Sequence, residues 1–477
     1  MNTNTPLTTP LAAVPRPPGP PSPWWGLPLL RALSRDYLGF VQRLQHAHGD
    51  ITFMRIGPEC AYDVLSPDGV RAVLVEQADH FIRWERGIEV FAQVFGQGLL
   101  TTEGEQWKRQ HRLLRPGFAP RRVAGYAALM VDAARQALDD AVPPGQASAR
   151  VEVDALMTRL TMDVILRTLF GSRARDEARE AGEAVQVLGR QAMREMFLPL
   201  TLPDWLPLPG KAGKRRALRT LRGLVDRHID ARLNAAVADP ATVPTDDLLA
   251  MMLAARDDEA GAPDGTGAGS GLSRAELHDQ SMVIFQAGHE TSATALLWWS
   301  RLMAEHPEIA RRARDEVDQV LAGRDPTPAD LPRLDWLGAT LKEAMRLYPP
   351  VPALMSRRAV KEAQVGPWRI PAGSLVRLTP WVLHHDPRWF PEPEVFRPER
   401  FTADAPPLPR GAWLPFGTGP RVCIGQHFAM LEMTLIAAML LQRYTLAVPP
   451  GDDTRPAAEL NVTLRPKGGL RLAFTRR

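Results

Sequence analysis

Apolar positions along this chain fall mainly at helical spacing. From about residue 125 to 250 they recur with that period among arginines and alanines, and the pattern returns from Gln426 to Arg443 without a proline or glycine. Ser273-Arg274-Ala275-Glu276 forms a capping box and the next proline is Pro307, so one helix is predicted over 274–305, roughly 48 Å long at 1.5 Å per residue. The β-rich runs are short. Ile51 to Ile56 and Cys60 to Leu65 flank a Gly57-Pro58 turn and predict a hairpin. Ser66-Pro67 then supplies an N-cap and a first-turn proline for a helix through Val75. A second hairpin is predicted from Leu460 to Phe474, turned at Pro466-Lys467-Gly468-Gly469. The expected fold is mainly α with a smaller β-rich part.

The periodic segments are interrupted in three places. Residues 1–39 read as a proline-rich lead-in, whose run Pro15 to Pro23 favours extended backbone and cannot continue a helix. Residues 40–477 read as one domain. Phe197 to Gly210 carries four prolines yet is strongly apolar, the composition of a surface loop that touches something. The basic run behind it, Lys211, Lys214, Arg215, Arg216 and Arg219, is expected to be a solvated helix face. Asp257 to Gly271, rich in glycine, aspartate and alanine, is expected to be a flexible surface loop.

Composition narrows the class. With 477 residues, 45% hydrophobic and 23% charged, the chain can bury a large core. Only Cys60 and Cys423 are present, which excludes a disulfide framework and a cysteine-based zinc site and points to a reducing cytoplasm. No segment reaches the ~18 uncharged apolar residues of a membrane-spanning helix. The polar start, Met1 to Pro10, lacks the features of a secretory leader. A net charge of +4 and a pI near 9.2 come without interleaved basic and aromatic residues, so a small acidic protein partner is expected and nucleic acid is not.

The chemistry gathers around one cysteine. Phe416-Gly417-Thr418-Gly419-Pro420-Arg421-Val422-Cys423-Ile424-Gly425 is a glycine-rich turn running into the apolar helix from Gln426. The unpaired N–H groups and dipole of a helix start favour an anion, hence a Cys423 thiolate, and Gly417, Gly419 and Gly425 leave room for a flat ligand. A soft thiolate so held suits haem iron and favours O–O cleavage. The alternative is a lone buried cysteine that merely packs. A second unusual set, Ala287-Gly288-His289-Glu290-Thr291-Ser292, sits in the middle of the predicted long helix. There Gly288 costs about 1 kcal/mol relative to alanine, and Thr291 can turn its hydroxyl onto a backbone carbonyl and bend the helix.

These stretches resemble the cytochrome P-450 monooxygenases, whose signatures are Phe-x-x-Gly-x-Arg-x-Cys-x-Gly, Ala-Gly-x-Glu-Thr and Glu-x-x-Arg. The resemblance runs from about residue 40 to the end. It implies a single domain around one haem b, with Cys423 as axial ligand and Phe416, Gly417 and Gly425 around it. It implies catalytic roles for Thr291, at the dioxygen site, and for Glu290, in relaying protons, with Gly288 leaving room for dioxygen. Glu343 and Arg346, three apart on one helix face, would join Arg400 of Pro398-Glu399-Arg400-Phe401 in a buried triad that fixes the cysteine loop. Arg421, Trp107, His111 and Arg357 would meet the haem propionates. The family commonly has arginine where this chain has His111, and Arg358 is an alternative to Arg357. His384-His385-Asp386 is expected to be structural, since adjacent residues cannot all face one metal.

The implied reaction inserts one oxygen atom from dioxygen into an apolar small molecule, of terpenoid, fatty-acyl or similar skeleton. Phe285, Ala287, Gly288, Val351, Ala353, Leu354 and Met355 are the pocket candidates. Reducing equivalents from NAD(P)H would come through a separate ferredoxin or flavodoxin and its reductase, since the chain ends soon after the haem region. That partner would dock near Arg109, Arg112 and Arg115, and a monomer is expected. A peroxide-driven enzyme of the same fold, expected to lack the Glu290-Thr291 pair, and a non-catalytic haem sensor are the rival readings.

Overall fold

The computed structural model describes residues 15–172, 175–196, 198, 202–239, 246–257, 271–452 and 454–477. Three helices form its centre. The long helix Arg274–Glu305 runs against Val153–Phe170 on one side and Gln426–Arg443 on another. All three are apolar around most of their circumference, as helices enclosed by protein must be. Ser273 caps the long helix as expected: its hydroxyl accepts from the Glu276 N–H at 3.2 Å, and the Glu276 carboxylate accepts from the Ser273 N–H at 2.8 Å. The outer helix Pro307–Leu321 buries one face, whereas Asp335–Leu347 is enclosed on most sides. No helix among the described residues is long and apolar enough to cross a membrane.

The β-rich part is a five-stranded sheet in the order Ile51–Ile56, Glu59–Val64, Leu375–Leu378, Arg357–Ala359, Phe81–Arg83, with only the second and third strands parallel. The first hairpin pairs Ile51 with Val64 through to Ile56 with Glu59. Ser66 caps the next helix by accepting from Gly69 N–H at 3.2 Å. The described part of the lead-in is not a free arm. Phe53 N–H donates to Pro18 O at 3.1 Å and Gly57 N–H to Trp25 O at 2.6 Å, so it lies along the sheet edge. Residue 39 falls inside the helix Tyr37–His48, so no structural boundary divides the lead-in from the domain at that point.

Two expectations give way. The C-terminal hairpin is Ala458–Asn461 paired with Thr463–Pro466, turned at Val462, whose φ of 49° is unusual for a β-branched residue. Arg471–Arg476 pairs instead with Ser148–Glu152 and Tyr444–Ala447. Lys211 and Lys214 are not solvated: at 3% and 2% exposure they are buried against Glu195 and Asp204. Asp204 lies in the proline-rich run, so these pairs fasten that loop to the helix behind it. Leu202 and Trp205 of the same run are exposed. Residues 197, 199–201 and most of the Asp257–Gly271 loop lie outside the described residues.

The helix Asp335–Leu347 carries the pair on which the cysteine side is hung. Arg346 donates from Nε and Nη2 to both oxygens of Glu343 at 2.7 and 2.8 Å, and both side chains are 0% exposed. Arg400 Nε reaches Glu343 at 3.4 Å, and Arg397 N–H donates to it at 2.9 Å. The spare Nη1 of Arg346 donates to His384 O at 2.8 Å. His384 Nε2 in turn accepts from Leu414 N–H at 2.8 Å, two residues before Phe416. Burial, with His385 and Arg346 nearby, pushes the His384 pKa well below its ordinary value, which keeps the ring neutral and able to accept. Asp386 turns elsewhere, to Arg388 and Gln45, so His384, His385 and Asp386 do not converge. Replacing Arg346 with alanine would strand a buried carboxylate, and a loss of about 3–5 kcal/mol in unfolding free energy is expected, with haem lost from the purified protein. Chemical denaturation together with the haem-to-protein absorbance ratio measures both.

Candidate functional site

The cysteine loop is shaped by its own backbone. Cys423 N–H donates to Phe416 O at 2.9 Å, and Val422 N–H to Gly419 O at 3.1 Å. Gly419 is required for packing rather than for a ligand: its φ is 77°, and a Cβ there would lie 1.8 Å from Leu74 O. Gly417, with φ 71°, meets nothing within 4 Å and does leave open space, as Gly425 does apart from a contact at 3.9 Å with the cysteine sulfur. The helix starts at Gln426, so Cys423 stands three residues before it. Burial raises the Cys423 thiol pKa, and the bond from Gly425 N–H offsets this only in part. Cys423 thus stands just outside the helix that follows it, and a metal ion, when bound, would hold it deprotonated.

Cys423 opens on a cavity of about 1710 Å³. This exceeds the ~300–1,000 Å³ of a usual ligand site and leaves space for a cofactor together with a substrate. The long helix forms another wall, contributing Ala287, Gly288, Glu290 and Thr291, while Val351, Ala353, Leu354 and Met355 also line the space. The helix is continuous through the motif, with the Thr291 hydroxyl donating to Ala287 O at 3.0 Å. A Cβ on Gly288 would come within 2.8 Å of Ile165 Cδ1, so this glycine lets the Val153–Phe170 helix approach. Phe285 is a correction. It is 0% exposed, packs on Phe170 and His289, and does not line the cavity; the neighbouring Gln286 does. The hairpin tip Asn461, Val462 and Thr463 also lines it, placed by Trp298 Nε1, which donates to Leu464 O at 2.7 Å.

Glu290 is held at the cavity edge. Its Oε1 accepts from Arg465 Nε at 2.8 Å and Thr463 Oγ1 at 2.9 Å, and Arg465 also pairs with Asp154. Burial pushes the Glu290 carboxyl up, but Arg465 and His289, with the bonds from Arg465 and Thr463, outweigh it and hold it below the usual range. Its Oε2 is enclosed and has no hydrogen-bond partner among the described residues.

A different part of the cavity wall carries an excess of positive charge. Arg421 pairs with Glu103, donates to Thr102 O at 3.0 Å and lies 3.9 Å over the Trp107 ring. Arg83, from the sheet edge, stands 4.0 Å from the same carboxylate. Among the described residues, the Arg357 guanidinium donates only to Met355 O. Burial, with Arg83 close by, lowers Arg421 to about 9 and Arg357 to about 10, against the pull of Glu103. His111 stacks on Trp107 at 5.0 Å, and burial with Arg115 and Arg421 lowers its pKa, so it contributes a neutral ring. Three guanidiniums thus share one carboxylate, the complement of a group bearing two further carboxylates. Haem, with two propionates and an iron for Cys423, fits this donor set.

Sequence reasoning missed Arg83, which stands outside every motif, and left Arg358 open. Arg358 is taken by Glu59 at 2.6 Å and Glu85 at 3.1 Å. The expected docking patch is also reduced: Arg109 pairs with Glu276 at 2.6 Å and Arg112 with Asp257 at 3.1 Å. Among the described residues, no group of histidine, cysteine and carboxylate side chains could hold a bare metal ion. Arg83 Nη1 also donates to Leu100 O at 2.7 Å, so Arg83→Gln relieves like-charge crowding but loses that bond, and a change of no more than about 1 kcal/mol in the stability of the haem-free chain is expected. The substitution should weaken haem retention by about 2 kcal/mol, the scale of a charge-assisted hydrogen bond. Haem transfer to apomyoglobin measures this, and an unchanged rate would remove Arg83 from the site.

Comparison with known sequences finds relatives over nearly the whole chain. A sequence profile described as cytochrome P-450 matches residues 16–474. The chain is 34% identical to cyclooctat-9-en-7-ol 5-monooxygenase of Streptomyces melanosporofaciens, over 91% of this chain and 92% of that protein. It is 30% identical to pentalenene oxygenase of Streptomyces avermitilis, over 93% and 94%. It is 31% identical to echinocystic acid 23-monooxygenase of Saponaria officinalis, over 92% and 84%.

Proposed function

The chain belongs to the cytochrome P-450 family and is a haem-dependent monooxygenase of apolar substrates, and from that premise we propose how its own residues divide the work. The observation that carries the proposal is the meeting, in one cavity, of Cys423, the under-neutralised arginines Arg83, Arg357 and Arg421, and Thr291. Cys423 would ligate the iron, and the three arginines would take the propionates with Trp107 and His111 beside them. When bound, the haem supplies a redox-active iron at which dioxygen is activated, thiolate ligation favouring O–O cleavage.

The remaining steps belong to the chain. Thr291 Oγ1, resting on Ala287 O, rotates to present its proton to the dioxygen site. Glu290 moves protons toward it: Oε1 is committed to Arg465 and Thr463, and Oε2, enclosed 3.7 Å from His289 Nε2, is the atom that takes one up. Ala287, Val351, Leu354 and Met355 exclude water and hold the substrate by apolar contact. The names of the relatives favour a cyclic terpenoid skeleton. Reducing equivalents from NAD(P)H arrive through a ferredoxin or flavodoxin system, docking on the cysteine side where Arg115 stands. The protein works as a monomer in the cytoplasm.

Two substitutions test this. Cys423→Ala is expected to abolish the red-shifted ferrous carbon monoxide band, and survival of the band ends the assignment. Thr291→Ala is expected to keep the haem and the band but to divert electrons to peroxide, with product per electron falling about tenfold or more. Peroxide and product titrated together against consumed reductant measure the coupling, and unchanged coupling removes Thr291 from proton delivery.

A further inference from the structure

The wall that holds Thr291 also carries Gln286, a polar side chain that nothing above employs. Gln286 lines the cavity and is only 7% exposed, and its amide nitrogen is enclosed without a hydrogen-bond partner among the described residues. Glu290, four residues on and therefore on the same flank of the helix, is committed to Arg465 and Thr463. Gln280, further toward the helix start, is 0% exposed and has its oxygen bound by Leu99 N–H at 2.9 Å, its amide nitrogen being unpartnered among the described residues as well. A buried amide left unpaired is unfavourable, because it has given up water and gained nothing. Apolar neighbours such as Val283 and Ala287 cannot satisfy it.

We propose that Gln286 is a specificity residue whose amide recognises one hydroxyl on an otherwise apolar alicyclic substrate, so that the enzyme acts on an alcohol rather than on the parent hydrocarbon. A hydroxyl both donates and accepts, and an amide offers donors and an acceptor at one tip, so the two complement each other whichever way the amide is turned. The proposal rests on the reading of the cavity as the substrate site of a haem-thiolate monooxygenase. A site built to pair a substrate hydroxyl discriminates strongly against the analogue that lacks it, because its own polar group is then stranded.

The test is a spin-state titration of the ferric, haem-loaded protein with matched pairs: cedrol against cedrane, patchoulol against patchoulane, androstanol against androstane. In at least one pair the wild-type protein is expected to bind the alcohol about tenfold or more tightly than the hydrocarbon. In Gln286→Leu, and in Gln286→Met, which keeps the side-chain length, that ratio should fall to about twofold or less, through weaker alcohol binding and unchanged or tighter hydrocarbon binding. A ratio that survives both substitutions overturns the assignment, as does a wild-type protein that prefers no alcohol in any pair. The ferrous carbon monoxide spectrum is recorded first. Absence of the thiolate band strikes the haem-thiolate reading, whereas a normal band with an unaltered ratio strikes Gln286 alone.

Discussion

The ion pair of Glu343 and Arg346 is the fixed point from which the cysteine side of the molecule is laid out. A pair so enclosed is not there for stability, since two apolar side chains of like size would do as well or better. What it provides is direction. Arg346 has three N–H left after Glu343 and gives one on Nη2 to Val395 O and one on Nη1 to His384 O; the neutral ring of His384 then holds Leu414 N–H. Four groups in series therefore run from a helix to the first residues of the cysteine loop. Each is buried, so the bonds between them hold in one geometry.

The long helix supplies the opposite wall by a different device. Its position depends on close approach: Gly288 admits Ile165, and the Thr161 hydroxyl reaches across to His289 O at 3.0 Å. Trp298, further along the same helix, fixes the hairpin whose tip lines the cavity. One rigid element thus places Thr291, Glu290 and the distal hairpin together. Charge is kept to the margins of this space, with Glu290 and Arg465 at one place and the arginines around Glu103 at another. Between them the lining is largely apolar, which is what an apolar substrate and a low-dielectric reaction site both require.

Much of this was legible in the sequence where a local signal has one physical meaning. The capping box at Ser273 and the proline at 307 marked the ends of a 32-residue helix, because capping is satisfied within four residues and needs no tertiary partner. Tertiary contacts decided the rest. Glycines at 468 and 469 do make a turn, with Gly469 N–H donating to Pro466 O at 3.2 Å, but the strands on either side of it pair elsewhere, and the hairpin itself turns at Val462 in left-handed backbone. Phe285 is apolar and so reads as a lining residue, whereas the polar Gln286 beside it does not. One residue is a rotation of about 100° on a helix, too fine for composition to resolve. Lys211 and Lys214 read as solvated because their partners, Glu195 and Asp204, come from before and within a proline-broken run.

The same limit explains the one departure from the family pattern, His111. Judged alone, a histidine in place of arginine weakens an anion site. In the folded protein the count is taken over the whole wall, where Arg83 arrives from a strand at the sheet edge and Arg357 from the strand beside it. Burial and the repulsion of these neighbours already draw Arg421 down to about 9, so a fourth permanent cation on Trp107 would add to that crowding before any anion is bound. A ring that burial keeps neutral stacks on the same tryptophan and can still donate a hydrogen bond. The charge facing the cavity is thus summed over the helix and the sheet, whereas a motif counts residues along one element.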